Sequence, residues 1–353
     1  MASETQPSGV RLQDTKPQED GAALRMYENS TKLEYLRNVD LPENGFSVAT
    51  RRSAGTFSFS LGLSAGDWVV EWWDGVRELR SATTTASKTI SGAYANASPK
   101  VVKVFPVSSL EYFTSLTFGA ASVSAIDVSR LSQLTDLSIG NNSVGGTFDV
   151  SHMTSLQYFT LNSSEVEKII LPEDPSSVLG INVSSASNLT EIVNFEKCVD
   201  LGTAYMQSSG LTRLDFTGWN GNLDIGYFSD MLSLTEVISL GDAMSNSGYA
   251  YITLYNCTSL TSIDVAGLSG GFVLDLAMCA LTEIRGVGAS NDTDYSSSYL
   301  GFQISGNNLD AAALDQFYTD LASGTGGINV YGNPGVSGHD PTIATGKGYT
   351  VYG

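Results

Sequence analysis

Between residues 107 and 308 the apolar side chains return in one arrangement, clearest in the stretch LTDLSIGNNSV, where Leu134, Leu137, Ile139 and Val144 are apolar and Asn142 sits between them. The frame of three apolar sites, spaced by two residues and then one, recurs from Phe113, Leu134, Leu156, Leu189, Leu211, Leu234, Leu260, Leu281 and Tyr299. A second apolar couplet follows half a period later, as at Ile126/Val128, Phe148/Val150, Ile169/Leu171, Leu223/Ile225, Ile252/Leu254 and Leu274/Leu276. Alternation with a period of two, broken by Gly, Asn and Ser, predicts two short strands and two turns per repeat. The pattern therefore predicts a β-rich solenoid, in which each coil buries its apolar side only by stacking on its neighbours.

Most steps between frames fall within the roughly 20 to 29 residues of a leucine-rich repeat. The step from Leu156 to Leu189 is 33 residues, read as one period plus an insertion around PEDPSS. Residues 309–353 read as a C-terminal α/β cap: NNLDAAALDQFYTDLASG has helical spacing and a Gly stop. GINVYGNPG and GYTVYG read as short strands joined through Asp340-Pro341, a helix-start signal. These frames, with LTSIDVAG, LTDLSIGNN and the C-terminal sequence, resemble the bacterial and phage type of leucine-rich repeat over about residues 107 to 353. The resemblance implies an architecture and leaves the ligand open.

Upstream, residues 46–106 alternate in the manner of strands, with turn signals at Ala65-Gly66 and Asp74-Gly75. The segment resembles a PKD-like β-sandwich, whose signature is a Trp followed closely by Gly-Asp-Gly; here Trp72-Trp73-Asp74-Gly75 stands in, with Trp73 in place of the Gly. Trp68 and Trp72 share one strand face and are expected beneath the opposing sheet. Trp73 points the other way, toward the first coil or a partner. Residues 1–45 are rich in Gln, Glu, Ser, Pro and Lys, with one modestly apolar stretch that includes Leu24, Tyr27 and Leu36. This segment is read as an extended arm that orders on a partner. The fold class is thus mainly β: arm, small sandwich, leucine-rich-repeat solenoid and α/β cap.

Charge narrows the partners. Eighteen basic against 37 acidic residues give a net charge of −19, which repels nucleic-acid phosphates and anionic lipid heads, so no direct nucleic-acid partner is expected. No apolar run reaches the about 20 residues of a membrane span, and the N-terminal sequence has neither a basic head nor an apolar core of an export signal. The three cysteines, Cys198, Cys257 and Cys279, are too scattered for a disulfide framework or zinc site and read as buried thiols. His152 and His339 share no metal-ligand spacing, and Asn291 to Asp294 offer too few oxygen ligands for calcium. No metal or cofactor is expected.

Catalysis finds no support in this pattern. Asp127, Asp149, Asp215, Asp224, Asp264 and Asp275 recur once per strand with outward parity, as a solvated face and not as a facing acid/base pair. Threonines at 114, 135, 190, 212, 235, 261 and 282 should stack into a hydroxyl ladder. The reading is a non-enzymatic phage virion protein, assembled in the host cytoplasm and exposed on the particle at head or tail. Its arm anchors it to other virion proteins and its solenoid serves adhesion. A bacterial cell-surface adhesin is the alternative, and a polysaccharide depolymerase the third reading; homo-oligomerisation stays open. Outward residues, Tyr158 and Arg213 foremost, are the expected contacts to a host surface glycan or envelope protein, because Tyr and Arg carry much of the energy of interfaces.

Overall fold

The computed structural model describes residues 44–50, 55–81, 84–90, 100–107, 112–118, 123–244, 250–291 and 301–353. The arm, with Leu24, Tyr27 and Leu36, lies outside the described residues. Two compact units divide the chain, the first reaching Leu134 and including Asn141–Gly146, the second comprising Thr135–Gly140 and Thr147–Gly353.

The first unit holds β1 (Phe46–Thr50), β2 (Gly55–Leu63), β3 (Asp67–Glu71), β4 (Arg77–Ser81), β5 (Thr84–Ile90), β6 (Lys100–Pro106), β7 (Phe113–Phe118) and β8 (Val123–Asp127). One antiparallel sheet has the order β4-β3-β6-β1-β8, and β7-β2-β5 pair antiparallel in the other. Alternation decides the inner face: in β3, Trp68 and Val70 are buried while Asp67, Val69 and Glu71 are partly exposed. Trp68 and Trp72 lie in the core, their rings 6.0 and 6.3 Å from Phe59. Asp74 accepts a hydrogen bond from the Val76 N–H, and Gly75, at φ 78°, closes the turn by donating to the Trp72 carbonyl.

The sandwich strands run past residue 106, where sequence reading set the boundary. β7, whose Phe113 opens the first apparent repeat, pairs with β2, and β8 pairs with β1. Phe113, Leu116 and Phe118 are buried, and a sandwich strand needs the same alternation as a solenoid strand.

In the second unit the strands alternate between two walls. The first wall is parallel and carries β9 (Asp136–Ser138), β11 (Tyr158–Thr160), β13 (Gly180–Asn182), β15 (Thr203–Tyr205), β17 (Ile225–Tyr227), β19 (Ala250–Thr253), β21 (Phe272–Asp275) and β23 (Gly301–Gln303), then β24 (Gly327–Asn329) and β25 (Thr350–Tyr352). The second carries shorter groupings: β10 (Gly145–Asp149), β12 (Glu165–Ile170) and β14 (Glu191–Val193); β16 (Arg213–Asp215) with β18 (Glu236–Ile238); and β20 (Ser262–Asp264) with β22 (Glu283–Arg285). Phe148 stacks on Phe159 at 5.9 Å and Phe216 meets Phe228 at 6.0 Å, so the two walls share one core. Leu137, Ile139, Leu214, Phe216, Ile263 and Val265 are all buried in it.

This two-walled construction corrects the reading of the repeat. The frames at Leu134 and Leu156 lead into first-wall strands β9 and β11, whereas those at Leu189, Leu211, Leu234, Leu260 and Leu281 lead into second-wall strands β14, β16, β18, β20 and β22. No insertion separates Leu156 from Leu189, because the apparent extra residues are half a coil. Phe159 pairs with both Leu137 and Ile181 along the first wall, and PEDPSS forms an ordinary corner. There Val178 donates to the Pro175 carbonyl just as Leu156 donates to Met153 one coil earlier. Helix α1 (Leu240–Met244) follows β18 on the way back to the first wall.

The residues 309–353 combine capping with continued stacking. Helix α2 (Ala311–Asp320) starts at Asp310, whose carboxylate accepts from the Ala313 N–H, and packs Phe317 edge-on to Phe302 at 5.3 Å. The short helix α3 (Thr342–Thr345) precedes β25, and Asp340 accepts from the Thr342 N–H. Both β24 and β25 extend the first wall, so the repeat continues into the segment read as cap.

Candidate interaction surface

Each first-wall strand leaves the sheet through a corner that uses up most of the recurrent polar residues. A residue with left-handed backbone stands there in coil after coil: Asn141, Ser163, Ser185, Ser208, Asp230, Asn256, Met278, Gly306 and Gly332, with φ between 51° and 79°. This conformation turns the chain sharply, and side chains other than those of Gly and Asn occupy it at a cost that the surrounding ladder must offset. The next residue points inward. Asn307 donates to the carbonyls of Leu276 and Ile304 at 2.9 and 3.0 Å and accepts from the Leu281 N–H at 3.1 Å. Asn333 repeats the arrangement with Ile304, Val330 and Leu309.

Cys257 and Cys279 occupy the same position, five residues after the core residue of their strands, as Asn142 does after Leu137. Their thiols face the carbonyls of Phe228 and Leu254 at 3.2 and 3.1 Å. They are structural stand-ins for asparagine, and the hydrogen bond to Cys279, together with burial, pushes the Cys257 thiol up. Cys198 is also buried, and desolvation raises its thiol to about 12.

The aspartates have a role beyond the solvated face read from sequence. Asp127, Asp149, Asp215, Asp264 and Asp275 each accept a hydrogen bond from the backbone N–H two residues on, fixing the chain as it leaves the strand. Asp127 is buried, and burial raises the pKa of Asp275. Burial also acts to raise that of Asp215, but hydrogen bonds from Thr217 and the Arg213 guanidinium outweigh it and hold the carboxyl below its usual range. The threonine ladder holds on the second wall, where hydroxyls donate to a carbonyl one coil back, Thr190 to Glu167, Thr235 to Thr212 and Thr282 to Thr261; Thr114 instead lies in sandwich strand β7, and the Thr135 hydroxyl donates to Asp136 at the first wall.

The two outward faces differ in chemistry. Second-wall strands carry paired charges: Lys168 with Glu191 at 2.7 Å, Arg213 with Glu236 at 2.9 Å and Asp215 at 2.8 Å, and Arg285 with Glu283 at 2.8 Å. First-wall strands carry tyrosine, hydroxyl and amide side chains, together with Asp136, Ile225 and Asp275, and no Lys or Arg. Tyr205 and Tyr227 occupy the same place on paired strands, and their rings stack at 5.2 Å, 10° from parallel. Tyr251 lies 5.7 Å from Tyr227, tilted by 40°. Tyr251 and Tyr255 are 36% and 42% exposed, and Tyr158 is 50% exposed on the same wall.

The structure separates the residues predicted to act together. Tyr158 stands on β11 of the first wall with its ring over Gly180, where a Cβ would lie 2.9 Å from it. Arg213 stands on β16 of the second wall, engaged by two carboxylates. They form no common contact patch. Trp73, in the first unit, is half-buried with its ring edge-on to Trp72 at 5.5 Å. Tyr205, Tyr227, Tyr251 and Tyr255 were missed in the sequence; the recurrence of TAY and IGY 22 residues apart, from Tyr205 to Tyr227, was the signal for them.

No family model and no curated protein matches the chain. Among solved structures it is similar to an internalin of Listeria monocytogenes, at 14% identity and a TM-score of 0.24, over 68% of this chain and 86% of that one.

Proposed function

We propose that the protein is a non-enzymatic surface-recognition protein whose first wall is the contact face. The observation that carries this reading is the cluster of Tyr205, Tyr227 and Tyr251, ring against ring, on the outward side of a sheet whose inward side already supplies the core. Tyrosine adds large amphipathic contact area at small entropic cost, and nothing in the coil-to-coil stacking calls for a cluster of them outside. The stacked backbone rungs hold Tyr205 and Tyr227 in register one coil apart, and Tyr251, which pairs with Ile225 at the other end of its strand, extends the aromatic patch diagonally.

The setting we propose is a phage particle, with the PKD-like sandwich and solenoid displayed and the residues 1–45 anchoring the chain to other virion proteins. The support is the resemblance of the frames to phage and bacterial leucine-rich repeats and the polar composition of the arm. Mass spectrometry of purified virions tests the setting: the protein is expected among the structural components, and its absence from particles rejects it. Adsorption of the purified protein to host cells tests recognition, with saturable binding expected. Release of reducing ends from host polysaccharide would overturn the non-enzymatic reading.

A further inference from the structure

We propose that Cys257 and Cys279 are an oxidisable pair, closed into a disulfide between neighbouring coils by a small peroxide. This chemistry belongs to the core and is separate from recognition at the outward face.

The fold brings the two sulfurs together. Ile252 and Leu274 are paired on β19 and β21, and each cysteine lies five residues beyond its own member of that pair, just after a left-handed corner residue, Asn256 or Met278. The two corners stay in register, since the Leu254 N–H donates to the Asp275 carbonyl and the Asn256 N–H to that of Ala277. Adjacent rungs of a sheet are about 4.8 Å apart, within the roughly 4.4–6.8 Å between the Cα atoms of a disulfide. The side chains converge further. The Cys279 thiol reaches back into the coil of Cys257, to the Leu254 carbonyl at 3.1 Å, and the Cys257 N–H donates to that same oxygen at 3.3 Å. The two thiols lie within hydrogen-bond reach of each other. Cys198, the remaining cysteine, follows β14 on the second wall, its thiol 3.9 Å from the Asn194 carbonyl.

The two thiols are unequal. Cys257 is fully buried, and the hydrogen bond to Cys279, with burial added, pushes its thiol up. Cys279 is 6% exposed and follows Met278, which is 50% exposed at the corner. The same hydrogen bond holds the Cys279 thiol below its usual range, and the N–H groups of Cys257 and Asn256 act in the same direction, against burial. Cys279 is therefore the attacking sulfur, nearer to solvent and the readier of the two to ionise. Its thiolate attacks one oxygen of hydrogen peroxide: an S–O bond forms as the O–O bond breaks, and the departing hydroxide takes up a proton to leave as water. The Cys257 sulfur then attacks the sulfenic acid. The S–S bond forms, the S–O bond breaks, and the hydroxyl leaves with the Cys257 proton as a second water. Two thiols together lose two electrons, and one peroxide is reduced to two waters.

Oxidation of the folded full chain with a small excess of hydrogen peroxide, followed by unfolding in urea with iodoacetamide, tests the pair. The reduced protein offers three thiols for alkylation, Cys198, Cys257 and Cys279, and the oxidised protein is expected to offer only Cys198. Trypsin leaves both partners on one peptide, because no Lys or Arg lies between Arg213 and Arg285; cleavage at Asp264 and Asp275 separates them, and mass spectrometry then shows the cross-linked peptides. Dithiothreitol should restore all three alkylation sites. Cys198→Ser is expected to leave the bond intact, and Cys257→Ser to hold Cys279 as a sulfenic acid that a cyclic dione traps. If either variant folds poorly, the parent protein still decides the matter, since its own measurement needs no substitution. Three alkylated thiols after oxidation overturn the proposal. Peptides cross-linked through Cys198 overturn it too, because that thiol stands on the other wall and meets the pair only in unfolded chains.

Discussion

Asn307→Ala, compared with Ser209→Ala, tests the idea that the inward residue of each corner holds neighbouring coils together. Both side chains occupy the same buried position in their coils. Asn307 makes three hydrogen bonds of 2.9 to 3.1 Å, and two of its partners, Leu276 and Leu281, belong to the preceding coil. Each such bond contributes about 1 kcal/mol net, and a stranded buried N–H or C=O costs about 1–3 kcal/mol, so the loss is expected at about 3–5 kcal/mol. The Ser209 hydroxyl is buried with no hydrogen-bond partner, so replacing it with alanine removes a desolvated polar group and is expected to be neutral or stabilising by up to about 1 kcal/mol. Thermal unfolding monitored by circular dichroism should show Asn307→Ala melting lower by roughly 2–4 °C per kcal/mol for a unit of this size, and Ser209→Ala unchanged or higher. Equal destabilisation by the two variants would refute the argument, since it would mean that volume, and not hydrogen bonding, matters at the corner.

Leu214→Asp places a carboxylate in the shared core, at a cost of several kcal/mol, and should uncouple adjacent coils; unchanged thermal unfolding rejects the register of β16. Gly301→Ala should be strongly destabilising, because Gly301 has φ 100° and a Cβ there would lie 2.3 Å from the Gly327 carbonyl oxygen; normal expression and melting would show that these strands do not approach as described. The Cys198 thiol, raised by burial from 9.0 to about 12, favours the folded state fully below pH 9 and loses that contribution as pH climbs toward 12. Urea midpoints measured upward from pH 8 should therefore fall less steeply in Cys198→Ala than in the parent, and identical slopes would refute the assignment. In native protein the same thiol should resist an aromatic disulfide reagent that labels it once unfolded.

The sequence by itself determined the local units. Alternation at Trp68 and Val70 dictated which side of β3 is buried, the spacing of Leu137, Ile139 and Asn142 dictated a strand followed by a corner, and Asp310 with the alanines after it dictated α2. The place of Cys257 and Cys279 in the asparagine series was also legible, because each follows its core residue by the same five positions. The wall to which a strand belongs was not legible. Both strands of a coil point alternate residues into the same core, so Leu134 and Leu189 open identical local patterns and only pairing between coils assigns them to different sheets. For the same reason β7 reads as a repeat although it pairs with β2. Separating Tyr158 from Arg213, and bringing Tyr251 against Tyr227 from the other end of its strand, needed the register of residues 22 to 26 apart. Register of that kind is set by which coil stacks on which, an interaction between segments that no single segment encodes.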